Sequence, residues 1–144
     1  ISLNFLSLYK DFDVISLFFC FRMDAFTEKN WILASMTSFS EYHAHIYFSS
    51  GTKDKAKELM NNITDNFSLD VGTFHEKPVG PHPCWSFQVK FDTKMFGIFV
   101  PWLMDNRNRL TVFIHACTGD NLLDHTENVC WLGEMHELNL KIFN

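Results

Sequence analysis

The residues YHAHIYF, at positions 42–48, alternate between two chemistries: Ala44, Ile46 and Phe48 on one side, His43, His45 and Tyr47 on the other. At the two-residue period of an extended chain, that pattern predicts a strand with one packed face. SSGTKDKAKELMNNITDNF then changes period. Ala56, Leu59, Met60, Ile63 and Phe67 form a helical stripe behind Ser and Thr capping candidates. VGTFHEK and CWSFQVKF alternate again and predict two strands joined by the Pro/Gly-rich loop PVGPHP. Asp92 is placed to cap the helix TKMFGIFVPWLMDNR, which is apolar nearly all round and so expected to be largely buried, with Pro101 kinking or dividing it. LTVFIHA predicts a fourth strand, GDNLLDHTENV a polar connection, and MHELNLKIF a closing edge strand.

The order β-α-β-β-α-β is that of an α+β, ferredoxin-like domain: an antiparallel sheet with helices on one face, here extended by the C-terminal edge strand. The expected strand order is fourth, first, third, second, with the first and third parallel and the fourth antiparallel to the first. This arrangement sends the start of the first strand, the end of the fourth and the loop between the second and third to one end of the sheet. His43, His45, His115, His75 and His82 would gather there, five of the seven histidines in the chain.

Side-chain alternation refines the picture. His43 and His45 share a face, about 7 Å apart along the strand. If Ala44, Ile46 and Phe48 pack against the helices, both histidines look out from the open side, with Gln88 beside them on the third strand. Val112 and Ile114 would pack inward, leaving Thr111, Phe113 and His115 on that same open side. Imidazole suits Zn, Cu and Fe, and three protein ligands with open positions mark a catalytic metal. A strand HxH is weak by itself, and there is no HxxxH motif or cysteine cluster, so the metal reading depends on the convergence.

Composition narrows the class. At 144 residues the chain suits one folded domain, and its formal charge of -5, with scattered Lys and Arg, lacks the footprint of a nucleic-acid binder. Sixteen phenylalanines in a chain that is 47% hydrophobic point to an aromatic core or a buried homodimer interface. Cys20, Cys84, Cys117 and Cys130 show no CxxC spacing, which fits free thiols in a reducing, cytoplasmic setting. The first residues, ISLNFLSLYKDFDVISLFFCFR, begin without Met and carry an apolar run at 14–21. Asp11 and Asp13 stand where a signal peptide would be basic, and the run is far shorter than the ~20 residues of a membrane span. Residues 1–40 are therefore read as an N-terminal extension, with Met23 a candidate start, and residues 41–144 as the domain. The sequons at Asn62 and Asn66 would matter only in a secretory chain, which these features do not favour.

Other polar residues have plainer readings beside functional ones. Arg107, in DNRNR, would either bind a substrate carboxylate or complement a helix C-terminus. Asp120, Asp124 and His125 are caps or groups at a site mouth. Trp85, Trp102 and Trp131 are core or interface residues before they are substrate platforms.

Taken together, YHAHIYF, HEKPVGPHPCWSFQV, FGIFVPWLMDNRNRLTVFIHACTGD, DHT and WLGE resemble the fungal and bacterial DOPA 4,5-dioxygenase family over about residues 42–140. The resemblance implies a small, ferredoxin-like, dimeric enzyme that cleaves the catechol ring of L-DOPA with O₂ beside one hydroxyl. The product, a seco-DOPA, would lead to betalamic acid or muscaflavin. The family's histidines fall on His43, His45, His75, His82, His115 and His125. Arg109 and Ala116 depart from the family pattern, which has Gly and Pro there. Extradiol cleavage implies Fe(II), with Zn also suited to the ligands. On this reading His43, His45 and His115 are the metal ligands, His75 and His82 the catalytic acid/base groups, and Gln88, Arg107 and His125 contact substrate. The usual non-haem triad includes a carboxylate; Glu76, Glu134 and Asp120 cannot be placed as that ligand. Two other classes fit the same residues: an inactive ligand-binding or structural member of the fold, and a zinc-dependent hydrolase.

Overall fold

The computed structural model describes residues 37–144. The readings made on residues 1–36, including the apolar run and the candidate start, lie outside the described residues. The elements in order are β1 (Glu41–Phe48), α1 (Lys53–Asn66), β2 (Asp70–Val71), β3 (Trp85–Asp92), α2 (Thr93–Asn106), β4 (Thr111–Ala116), α3 (Asn121–Asp124) and β5 (Val129–Leu132), with a 3₁₀ turn at Leu140–Phe143. The ferredoxin-like order is present, in a five-stranded sheet arranged β2-β3-β1-β4-β5.

Every neighbouring pair is antiparallel, including β1 with β3. This corrects the expectation that the first and third strands run parallel. The crossover through α1 makes β1 and β2 co-directional, and β3, returning from β2, inserts between them opposed to both. Trp85 at the start of β3 therefore lies opposite Phe48 at the end of β1, and the loop at 72–84 leaves from that far end. It still reaches the histidines, because it folds back over the outer face of the sheet. His75 bridges to Ser86, and a tight turn closes Val79 onto His82. Gly80 supplies the left-handed φ of 60° inside that turn, a conformation open to glycine at little cost.

The alternation in β1 holds. Ala44, Ile46 and Phe48 join Phe87, Val89, Val112 and Ile114 in one core with Ala56, Leu59 and Ile63 of α1 and Phe99, Val100 and Leu103 of α2. Asp92 caps α2 by accepting from the Met95 N–H at 3.0 Å. That helix is continuous through Pro101, and it is buried on one side only: Ile98 and Met104 are 59% and 61% exposed. The predicted edge strand exists but is drawn from VCWL, not from MHELNLKIF, which follows as a loop and the 3₁₀ turn. Once β5 pairs with β4, residues 135–144 are left to cross the outer face, where the Phe143 ring lies 4.9 Å from that of His125, tilted by 45°. The face expected to be open is thus roofed.

Both departures from the family pattern have structural consequences. Arg109 holds a left-handed φ of 66°, which costs a residue with a Cβ about 1–2 kcal/mol and glycine far less. Arg109→Gly is expected to stabilise the protein by about 0.5–1 kcal/mol, read as a higher urea midpoint. An unchanged or lower midpoint contradicts the strain. Ala116 donates its N–H to the Asn128 carbonyl at 3.0 Å, a bond proline lacks, while its own carbonyl accepts from His115 Nδ1 at 2.8 Å.

Candidate functional site

Registry builds the site. His43 lies opposite His115, and His45 sits between Gln88 of β3 and Phe113 of β4, so alternation delivers all five side chains to the outer face. His45 Nε2 and His115 Nε2 are 3.3 Å apart. Together with His43 they offer ligand atoms all within 4.8 Å of one another. An ion about 2.1 Å from each of two imidazole nitrogens sets those nitrogens about 3.0–3.4 Å apart for angles between square and tetrahedral. The observed separation fits.

A hydrogen bond fixes the His115 ring as a metal needs it. His115 Nδ1–H donates to the Ala116 carbonyl at 2.8 Å, which leaves Nε2 as a lone pair aimed at His45. His125 Nδ1–H likewise donates to the Asn121 carbonyl at 2.8 Å. Burial lowers the pKa of His45 well below the ordinary imidazole value, and the neighbouring His82, His115, His43 and His125 push the same way. It lowers His82 to about 3 and His115 to about 4. The cluster is therefore neutral at pH 7, the state in which imidazole ligates.

The metal-free protein should be acid-sensitive as a result. The unfolded chain takes up protons below its ordinary histidine pKa of 6.5, whereas the folded one cannot until far lower pH, so stability present at neutral pH is lost as pH falls. Between that value and about pH 5, His82 alone accounts for about 2 kcal/mol. Urea midpoints of metal-free protein across that range test this; a flat profile contradicts it.

A cavity of about 550 Å³ opens over the cluster, lined by His43, His45, His75, His82, Gln88, His115, Cys117 and His125 among others, within the usual size of small-molecule sites. His82 packs its ring 3.8 Å from that of His45. His125 stands deeper than a mouth residue, half-buried with its ring 4.4 Å from that of His115. Asp124, buried, accepts from the Thr118 N–H at 2.9 Å and its hydroxyl at 2.5 Å, and so ties down the turn that carries Cys117 and Gly119 to the cavity wall. Asp120 caps α3, accepting from the Leu122 and Leu123 N–H groups.

Arg107 does not reach the cavity. Its guanidinium donates to the Leu110 carbonyl at 2.7 Å, at the start of β4 and the opposite end from His115. The guanidinium expected to contact substrate is thus spent on the segment between α2 and β4, and Arg107 is not among the residues that line the cavity. Glu76 pairs with Lys53 at 2.6 Å. The carboxylate near the cluster is Glu41, which the sequence reading passed over: its Oε1 is 3.6 Å from His43 Nε2, but its Oε2 is engaged by Lys90 Nζ at 2.8 Å. Glu41, His43 and Cys117 make a second, overlapping group of possible ligands. The same alternation that marked His43 and His45 places Glu41 on their face. It also places Tyr47 there, whose hydroxyl meets His82 Nδ1 at 2.6 Å. Cys84, Cys117 and Cys130 are free thiols, and no helix among the described residues is long and apolar enough to cross a membrane.

The model of the Dopa 4,5-dioxygenase family matches residues 42–142. A 21.2 kDa protein of uncharacterized function from Botryotinia fuckeliana is 38% identical over 113 residues, covering 70% of this chain and 62% of that protein. A DOPA 4,5-dioxygenase from Amanita muscaria is 31% identical over 109 residues, covering 69% of this chain and 48% of that enzyme. The chain thus matches about half to three-fifths of the length of these relatives. A crystal structure of a candidate dioxygenase from Nostoc punctiforme superposes with a TM-score of 0.70 at 37% identity, over 72% of this chain and 90% of that one. With a family match across all five strands and both long helices, the chain belongs to the Dopa 4,5-dioxygenase family.

Proposed function

We propose that the domain at residues 41–144 is an extradiol ring-cleaving dioxygenase acting on L-DOPA or a related catechol with O₂, and giving a seco-DOPA. The observation that carries this reading is the convergence of His43, His45 and His115, with their ligand atoms within 4.8 Å of one another, on the floor of a cavity of about 550 Å³. The DOPA 4,5-dioxygenase relative supports the choice of substrate. These three histidines would hold the metal, Fe(II) in the working enzyme, with Zn able to occupy the same ligands. When bound, Fe(II) supplies the redox chemistry that lets a catechol react with O₂.

The chain's own residues do the rest. His75, His82, His125 and Gln88 line the cavity and are the groups available to bind the catechol and handle its protons. Phe113, fully buried, backs the floor, while the turn at Val79–His82 and Phe143 of the C-terminal segment limit the entry of water. A homodimer in a cytoplasmic setting belongs to the same proposal, on the aromatic-rich composition and the free thiols. The test is labelling with ¹⁸O₂: both atoms should appear in a ring-opened product of L-DOPA. With the aldehyde reduced by borohydride as it forms, so that its oxygen does not exchange with water, a product with one labelled atom, or none, would overturn the reading.

A further inference from the structure

The Tyr47 side chain is 3% exposed, and its phenol oxygen lies 2.6 Å from Nδ1 of His82. No other hydrogen bond is made by that hydroxyl among the described residues; the rings of Trp131 and His136 lie 5.9 and 5.6 Å from the Tyr47 ring, centroid to centroid. A buried hydroxyl needs an acceptor for its proton. The O–H therefore points at Nδ1, and neutral His82 must carry its own proton on Nε2. No buried side-chain nitrogen or oxygen among the described residues lacks a partner. Since Nε2 of His82 makes no hydrogen bond, it opens onto the cavity that His82 lines.

His115 and His125 are set the other way. Each places Nδ1 2.8 Å from a backbone carbonyl, and a carbonyl only accepts, so each keeps a bare lone pair on Nε2. His115 spends its lone pair on the metal position. His125 makes no other hydrogen bond, and its ring stands 5.7 Å from that of His82 across the same cavity.

We infer that Tyr47 is a positioning residue that makes His82 a fixed hydrogen-bond donor toward an oxygen of the bound ligand and leaves His125, across the cavity from it, as a proton acceptor. The identity of that ligand rests on the catechol reading above; the ring orientations do not. A nitrogen already bearing a proton cannot serve as a base. The catechol hydroxyl proton would move to His125 Nε2, and the resulting imidazolium would keep its Nδ1–H on the Asn121 carbonyl. The ring oxygen retains the electron pair and meets the Nε2–H of His82, as an electrophilic neutral imidazole. The two histidines are not interchangeable.

The first test uses nitrogen-15 NMR of the metal-free, wild-type protein at neutral pH. His82 should show an unprotonated Nδ1 and a protonated Nε2, and His115 and His125 the reverse; a protonated Nδ1 on His82 overturns the inference whether or not the protein cleaves catechols. The second test is kinetic, on the Fe(II)-loaded enzyme. Tyr47→Phe should lower kcat about 10- to 100-fold with little change in KM or bound metal. His82→Gln, which can accept from Tyr47 and still donate into the cavity, should stay within about tenfold of wild type, while His82→Ala and His125→Gln lose about a hundredfold or more. Equal losses in His82→Gln and His82→Ala, or a Tyr47→Phe enzyme with wild-type kcat, would reject the assignment.

Discussion

Replacing His45 or His115 with alanine is expected to abolish stable metal binding and oxygen uptake together, in a protein that still folds. These two candidate ligand nitrogens lie 3.3 Å apart, and both residues are buried, at 7% and 4% exposure. Water entering in place of a lost imidazole would restore a ligand but not a fixed one. Loss of a supporting contact alone typically costs 10–100-fold in metal affinity, so loss of the ligand should cost at least about a hundredfold. Metal content after anaerobic loading and gel filtration, with circular dichroism to show the fold intact, checks this. Retention of stoichiometric metal by His45→Ala would place the centre elsewhere.

Alanine at Phe113 should be the most damaging single change on the sheet's outer face. Phe113 is 0% exposed, lies 4.7 Å from the ring of Trp131, and touches the rings of His45, His82, His115 and His125 at 5.6–6.0 Å. Removing it opens a cavity between β4, β5 and the histidines, at a cost of about 3–5 kcal/mol. The histidines would also lose the surface that holds their rotamers. Denaturant unfolding should register the stability loss, and metal titration a weaker affinity. A variant with near wild-type stability would mean that the roof of the sheet packs without it.

Phe113 also shows where sequence reasoning stopped. Alternation in LTVFIHA correctly sent Phe113 and His115 to the outer face, as YHAHIYF did for His43, His45 and Tyr47. Period is a local property, and it survives folding wherever one face must be buried. Whether that outer face is open or covered is not local. It depends on the path of residues 72–84 and 135–144, set by the turn at Gly80 and by which stretch wins the edge position beside β4. VCWL wins it, so MHELNLKIF is left to cross the face despite its alternating pattern.

The same limit explains the individual misses. His82 arrives beside His45 for a reason the sequence does not carry: with β3 antiparallel to β1, the loop starts at the wrong end and must fold back. Arg107 was a candidate carboxylate binder by residue type, and only its place at the C-terminal end of α2, outside the cavity lining, sets it apart from the histidines. Glu41 and Tyr47 were legible, because they extend the HxH row by one step in each direction. They were passed over because a strand's first residue and a tyrosine beside two histidines read as ordinary packing until registry puts Lys90 against one and His82 against the other.

The most direct test of the account is oxygen consumption by the purified chain, loaded anaerobically with Fe(II) and given L-DOPA. The account predicts one O₂ taken up per L-DOPA consumed, with a new visible chromophore, and neither in the His45→Ala or His115→Ala protein. No uptake by folded, iron-loaded protein on L-DOPA or any simpler catechol would contradict it and favour a member of the family that binds ligand without turning it over.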